Sequence, residues 1–317
     1  MKARAGWSRV ARMSGQAVLT LASIVVLVFL LVRLIPGDPV KVILGVEYTP
    51  EKAAALRAQL NLDKSIPEQF VAYIGGLLRG DLGQSTAQRG RSVTDVIAGA
   101  LPTTMSLVIA GILLGVIVGT TLGLLAAIST RRGVDVTVRT WGMLSFSVPT
   151  FLVALLLIFV FALSLRILPA GGWPNAWPDN LLYLILPAIA LSVHLATAIS
   201  RTVRQGAIDT MGQQHMEAAF ARGLPPRLLN LRHVLPNSVL PVLTIVGISF
   251  GTLLTGAIIV EAVFGIPGLG AEMTRAVGRR DYPVVQGIAL VTGVVVVLSS
   301  FVVESLYTFV DPRARTL

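Results

Sequence analysis

Six runs of about twenty residues, almost free of charge, recur along this chain: Gln16–Leu34, Ser106–Ile128, Trp141–Leu165, Leu181–Ser200, Leu240–Val260 and Val284–Val303. In hydrocarbon, a run of this kind can satisfy its backbone polar groups only as a helix or in a closed barrel. The lengths suit helices and are too long for barrel strands. Composition agrees: 54% of residues are hydrophobic and 13% charged, against about 25% charged in an ordinary soluble domain. Mean hydropathy is +0.78. The chain reads as an all-α polytopic membrane protein with six predicted spans. It contains no cysteine, which removes disulfides and thiolate metal sites. Its three histidines, His194, His215 and His233, do not form a histidine-based metal site by themselves.

The runs divide the chain. Residues 1–35 are a basic N-terminus and first span. Lys2, Arg4, Arg9 and Arg12 precede the uncharged stretch Met13–Val32. This resembles the start of a signal peptide, but the stretch is long for one. Arg33-Leu34-Ile35-Pro36 follows in place of a small-residue cleavage pattern, so an uncleaved span is expected. Residues 36–100 form a polar outer subdomain. Pro36-Gly37-Asp38-Pro39 is a rigid turn whose carboxylate, Asp38, can accept local backbone hydrogen bonds. Short helices are predicted at Glu51–Leu60 and Asp63–Leu78, followed by a turn at Gly80-Asp81-Leu82-Gly83. Residues 101–310 are the membrane core, with a polar loop at 212–241, and 311–317 form a tail.

Within the core, Pro102 is expected to mark the entry to span 2. Gly111, Gly115, Gly119 and Gly123 share one helical face there, for tight packing or for a moving contact. Pro149 is expected to kink span 3. Ser145, Ser147 and Thr150 beside it either line a path or repair the broken helix. Pro187 is expected to interrupt span 4, where His194 is the only histidine at membrane depth. It reads as a helix–helix hydrogen bond or as part of a substrate or proton route. In span 5, Ser249 and Thr252 give a face polar enough for a cavity. Glu261 ends that span before Val263–Gly270, where Pro267, Gly268 and further glycines predict a re-entrant or sharply folded turn. A short helix at Ala271–Arg280 and Asp281-Tyr282-Pro283 lead into span 6. Trp173 and Trp177 fit an interfacial belt.

Net charge is +10, and its placement matters more than its size. If sides alternate from a cytoplasmic N-terminus, the inner segments carry 14 Lys/Arg and 4 Asp/Glu and the outer segments 12 and 11, with Glu304 left in span 6. That obeys the positive-inside rule with both termini cytoplasmic. The excess positive charge then faces anionic lipid, and no motif points to nucleic acid.

The polar loop, Gly212–Pro241, reads GQQHMEAAFARGLPPRLLNLRHVLPNSVLP and falls on the cytoplasmic side. Met216, Ala219 and Phe220 give one face of a short helix an apolar character, Gly223 stops it, and Pro225 or Pro226 starts another. Two short helices joined at Gly223 form a knob able to carry force to a soluble partner. The plain alternative is an amphipathic stretch lying at the lipid headgroups.

Glu217-Ala218-Ala219, then Gly223 after three residues, resembles the EAA loop of ABC importer permeases. Further stretches, in order, are Pro36-Gly37-Asp38-Pro39, Gly80-Asp81-Leu82-Gly83-Gln84-Ser85, Leu101-Pro102-Thr103-Thr104, His233-Val234-Leu235-Pro236-Asn237, Val260-Glu261 with Pro267-Gly268-Leu269-Gly270, Asp281-Tyr282-Pro283 and Asp311-Pro312-Arg313. From Arg33 onward the chain is similar to the dipeptide, oligopeptide and nickel branch of type I ABC importers, and to its B-type peptide permease. The resemblance implies a type I importer transmembrane domain that forms half of a translocation path for di- or oligopeptides. It implies a homologous second permease, with a homodimer as the alternative. It also implies two ATPase domains or subunits that hold ATP and Mg, and an extracytoplasmic solute-binding protein. No Walker A lysine motif is present, so ATP hydrolysis is not assigned to this chain.

Under the resemblance, Met216, Glu217, Ala218, Ala219, Phe220, Arg222 and Gly223 couple to the ATPase, with Phe220 the preferred apolar anchor. Gly223 leaves the coupling helix in a left-handed conformation. Ser145, Ser147, Thr150, His194, Ser249 and Thr252 are the path candidates by depth and polarity. Asp38, Asp81, Glu261, Pro267, Gly268 and Asp281 are outer structural or docking positions. Import of a nickel chelate or another small solute is the alternative within the class. A self-contained secondary transporter or a membrane enzyme is the alternative outside it. The charge-poor interior offers neither of these a concentrated set of groups.

Overall fold

Apolar helices interrupted at glycine and proline account for nearly all of this computed structural model, which describes residues 2–34, 39–44, 48–59, 62–88, 90–129, 131–174 and 178–310. Within these, the side chains of 2–13, 31–34, 39, 42–43, 56, 59, 132, 220, 226–227, 240 and 304–310 lie outside the description, as do Asp38, Trp177 and the tail entirely. The only pairing of extended segments among the described residues is an isolated bridge between Gln84 and Ser92.

The helices are α1 (Lys2–Leu34), α2 (Pro39–Leu44), α3 (Pro50–Gln59), α4 (Ile66–Leu77), α5 (Val93–Ile128), α6 (Arg132–Ser147), α7 (Thr150–Leu157), α8 (Asn180–Met211), α9 (Gln214–Ala221), α10 (Pro226–Leu229), α11 (Leu235–Phe264), α12 (Leu269–Gly278) and α13 (Tyr282–Val310). Wider π-helical turns extend α7 over Ile158–Ser164 and join α10 to α11 over Asn230–Val234. Four helices are long and apolar enough to cross a bilayer: α5, α8, α11 with its π turn, and α13. The α6–α7 pair makes a fifth if counted as one broken span, and α1 adds the shorter apolar stretch Ser14–Leu30. The six-span expectation is compatible with this set.

The prolines behave differently from one another. Pro149 does more than kink span 3. Val148 and Pro149 are both extended, and α6 and α7 meet at 109°. A proline drives the residue before it out of the helical region, and the β-branched Val148 favours the extended alternative. Pro187 was expected to interrupt span 4, yet α8 runs through it unbroken for 32 residues. Pro102 likewise lies inside α5, which begins at Val93, nine residues before the expected entry mark. A leucine precedes each of these two prolines and Pro241 within α11. Burial of Leu186, Pro187, Ala188, Ala190 and Leu191 offsets the loss of one helical hydrogen bond, a cost of about 3 kcal/mol.

Two units make up the chain. The first comprises Thr104–Ile266 with both terminal segments. It is built around α8, whose buried residues run from Leu186 to Thr210. α8 packs most extensively against α11, and α6 and α7 also lie on it. The glycine face of α5 lies on α8 as well. A Cβ at Gly115 would fall 2.9 Å from Leu195 Cδ2, and at Gly119 and Gly123 it would fall 2.6 Å from the carbonyl oxygens of Ala196 and Ser200. Tight packing is therefore the role the geometry gives this stripe.

The second unit comprises residues 15–103 and 267–297. Its core joins Val93, Val96, Ile97 and Ala100 to Leu269, Ala276, Val284 and Ile288. α4 is anchored on α1 by Phe29, whose ring centroid is 4.9 Å from Phe70 and 5.7 Å from Tyr73. The predicted helices at 51–60, 63–78 and 271–280 are present as α3, α4 and α12.

Candidate functional site

The polar loop after α8 folds as two short helices with a reversal between them. α9 ends at Ala221, and Gly223 has φ +77°, the left-handed conformation expected of it. Space for a Cβ there is open, so backbone conformation alone favours glycine. Met216 is buried with Ala207 of α8, Leu229 of α10 and Val234, and Ala219 and Leu224 pack on this cluster. Glu217, Ala218, Ala221 and Arg222 are exposed. The seven coupling candidates therefore divide. Met216 and Ala219 hold α9 onto its own bundle, while Glu217, Ala218 and Arg222 form an outward face. The Phe220 side chain lies outside the described residues. His215 and His233, which received no role, have ring centroids 6.3 Å apart across the knob.

The outer candidates fall into three settings. Asp81 Oδ1 accepts the Gly83 amide at 2.9 Å, and Gly80 and Gly83 have positive φ, so the predicted turn is present. Asp281 is buried and grips the loop at 85–87. Ser85 Oγ donates to its Oδ2, the Thr86 amide and hydroxyl donate to Oδ1 at 3.1 Å, and the Ala87 amide donates to Oδ2 at 3.2 Å. Glu261 is fully buried, and the Thr104 hydroxyl donates to its Oε1 at 2.6 Å. Gly265 ends α11 in the left-handed conformation at φ +63°, Pro267 is exposed, and Gly268 precedes the first turn of α12. The sharply folded turn is present.

These contacts explain a feature that sequence order alone hides. Ser85 and Asp281 belong to two of the separate motifs, as do Thr104 and Glu261, and each pair meets through a side-chain hydrogen bond. Asp281 and Glu261 stand among the candidates and Ser85 and Thr104 lie in the motifs without a role, and neither pairing is legible in sequence, because 196 and 157 positions separate the partners.

The path candidates are more dispersed. Ser145 and Ser147 donate to the carbonyls of Trp141 and Met143 within α6, at 2.8 and 3.2 Å. Neither reaches the Ser145 carbonyl that Pro149 leaves without its usual donor. Ser145 is buried and Ser147 exposed. Thr150 opens α7, and His194, Ser249 and Thr252 are on α8 and α11; these three helices pack on one another. The His194 ring meets Phe146 edge-on at 6.1 Å. Among the described residues, no hydrogen bond joins any two of the six. An apolar cavity of about 920 Å³ opens between α5 and α8, lined by Leu113, Ile117, Leu182 and Ile185 among others. A smaller one, with three arginines in a largely apolar wall, lies between α6 and α8. Neither takes in any of the six residues. No group of three or more His, Asp or Glu among the described residues could hold a metal ion.

The described residues thus form a helical bundle with at least four helices of membrane-spanning length and a two-helix knob on the loop between two of them. Residues 119–316 match the family described as binding-protein-dependent transport system inner membrane component, and residues 9–108 match its N-terminal family. The chain belongs to this family, as a multi-pass inner-membrane permease subunit. It is 35% identical over 302 residues to a Brucella suis biovar 1 (strain 1330) protein that carries a peptide permease name, covering 93% of this chain and 95% of that one. It is 36% identical over 297 residues to the glutathione transport system permease protein of Salmonella typhimurium (strain LT2), with the same coverage. Among solved structures it is similar to the inward-facing MetNI methionine ABC transporter, with TM-score 0.54 and 18% identity over 68% of this chain and 96% of that one. That likeness is one of fold.

Proposed function

We propose that this chain forms half of the translocation path of an ATP-driven importer for di- or oligopeptides, with both termini cytoplasmic. Its partners are a homologous second permease, two ATPase domains or subunits that bind ATP and Mg, and an extracytoplasmic solute-binding protein. The observation that carries the reading is the α9 knob. Its inner face, Met216 and Ala219, is locked to the bundle, and its outer face, Glu217, Ala218 and Arg222, is free. A lever needs one face fixed and one available. The excess of Lys and Arg in the segments that alternate with the outer ones supports a cytoplasmic position for that face, the side where ATP is found. Peptide as the cargo is supported by the names of the two relatives above.

ATP binding closes the ATPase pair, which moves α9, and α8 and α11 carry the movement into the membrane. Such a ligand shifts the inward-open and outward-open populations only through its different affinity for the two states, and that difference resides on the ATPase partners. Arg222 contributes steering more than affinity, because an exposed ion pair is worth about 0–1 kcal/mol. Copurification from membranes in mild detergent tests the assignment. Wild type should bring down an ATPase and a second permease. Ala218→Trp, which adds bulk on the exposed face alone, should lose the ATPase and keep the second permease. Retention of the ATPase by that variant, or peptide transport by the lone chain without nucleotide, overturns the reading.

A further inference from the structure

Three arginines converge between α6 and α8 in a place that the coupling and path roles do not use. Arg139, Arg201 and Arg204 line a cavity of about 370 Å³ together with Trp141, Met143 and Gln205. One carboxylate, Asp135, lies beside them. It is committed to Arg204, which donates through Nε at 2.6 Å and Nη2 at 3.1 Å. Arg139 Nη1 is 3.8 Å from the same carboxylate. Arg201 has no carboxylate partner among the described residues. Its guanidinium carbon lies 5.0 Å from the centre of the Phe146 ring, which orients the fork by a cation–π contact. Gln205 donates to Asp209 at 2.8 Å on the exposed flank. Three guanidinium groups thus share one ion-paired carboxylate, with Asp209 beyond Gln205 on the flank, and the cavity wall carries a net positive charge.

The surroundings are amphiphilic. Met143 lines the cavity and is exposed, and Phe146, beneath Arg201, is exposed as well. α6 meets α7 at 109°. At that angle at least one of the two helices is tilted by roughly 35° or more from the bilayer normal, against an average of about 20° for spanning helices. α6 carries Arg139 and, on the same face, the exposed Met143 and Phe146, with Leu144 exposed as well, a basic and apolar mixture suited to the interface. Guanidinium forks match phosphate oxygens in geometry and charge. Hydrocarbon beside a phosphate site separates a lipid from a soluble anion.

We propose that the α6–α8 cavity binds the phosphodiester headgroup of an anionic phospholipid. Arg139 and Arg201 donate to the phosphate, and the acyl chains lie along Met143 and Phe146. Arg204, held by Asp135, fixes the floor of the site. Only the choice of the cytoplasmic leaflet rests on the orientation proposed above. The binding itself is independent of ATPase docking.

The test uses the purified transporter assembly in mixed micelles of phosphatidylglycerol and phosphatidylcholine, with retained lipid read by native mass spectrometry. Wild type should retain phosphatidylglycerol in preference to phosphatidylcholine. Arg139→Gln with Arg201→Gln should reduce that retention roughly thirtyfold, and Arg139→Gln alone roughly fivefold. The single variant covers the case in which the double variant does not fold. Arg131→Gln, exposed at the start of α6 but outside the cavity, should leave retention unchanged. Equal retention in all variants overturns the proposal, as does equal loss in Arg131→Gln. Displacement of the lipid by millimolar inorganic phosphate would also overturn it, by showing a site for a soluble anion. Lipid retention in an assembly that fails to capture an ATPase would leave this inference standing while removing the coupling assignment.

Discussion

Gly119 and Gly123 show how much a single hydrogen atom can decide. Each leaves no room for a methyl group against α8, because the obstacle is a backbone carbonyl at 2.6 Å that cannot rotate away. Gly119→Ala should therefore push α5 off α8 and cost about 1–3 kcal/mol, the usual range for overpacking. Thermal unfolding of the purified assembly measures this. Gly133→Ala in α6, where a Cβ meets nothing within 4 Å, should leave stability unchanged or raise it slightly. Gly223 is constrained differently. Its surroundings are open and its φ is +77°, so the penalty follows backbone preference and not size. Gly223→Val should cost about 1–2 kcal/mol locally and lower ATPase capture. Gly223→Asn, which tolerates the left-handed region, should stay near wild type. Similar losses in both variants would point to a contact made by the glycine itself.

Among the elements, the 85–87 loop depends on one side chain at the turn between α12 and α13. Four donors converge on Asp281. Asp281→Ala leaves the buried Ser85 hydroxyl and the partly buried Thr86 donors without their acceptor and should cost about 1–3 kcal/mol. Hydrogen exchange at the Thr86 and Ala87 amides would report it before global unfolding does. α4 begins with a smaller version of the same device. The Ser65 hydroxyl and amide both donate to Glu68, at 2.8 and 2.9 Å. The hydroxyl bond, followed by the backbone bond, holds the Glu68 carboxyl below the usual range. A depressed folded value means that the stabilisation is present above the ordinary glutamate range and is lost as pH falls through the folded value. The protection factor in the first turn of α4, taken against the intrinsic exchange rate at each pH, should therefore fall in acid, and Ser65→Ala should move the onset of that fall to higher pH. The break between α6 and α7 belongs to this scale too. It directs α6 at a steep angle to α7 and assembles the three-arginine cavity, whereas Pro187 leaves α8 straight enough to serve as the axis of its unit.

For the whole molecule, sidedness is the property with the most consequences, and the absence of native cysteine makes it directly measurable. Single cysteines at the exposed positions Gly133 and Gln213 should label from the cytoplasmic side, and those at Asp179 and Arg279 from the opposite side. Any other division overturns the proposed orientation. Much of this architecture was legible in the chain. Apolar runs located the spanning helices, apolar spacing located α3 and α4, and Gly223 located the reversal in the knob. These are local signals, set by backbone sterics and by the cost of placing peptide groups in hydrocarbon. The coupling candidates were legible as a stretch, but not the division of Met216 and Ala219 from Glu217 and Ala218, because that depends on what α9 packs against. The path candidates, chosen by depth and polarity, do not converge among the described contacts, since polarity along one helix does not fix which neighbour it faces. The sequence by itself determined that the chain is built of apolar helices, and their order along it. The tertiary structure alone decided that Asp281 holds the 85–87 loop, that Thr104 meets Glu261, that the α5 glycines press on α8 carbonyls, and that Arg139, Arg201 and Arg204 share one cavity. Each of those depends on residues far apart in the chain. Their meeting is set by how helices pack, and no local preference of either partner encodes it.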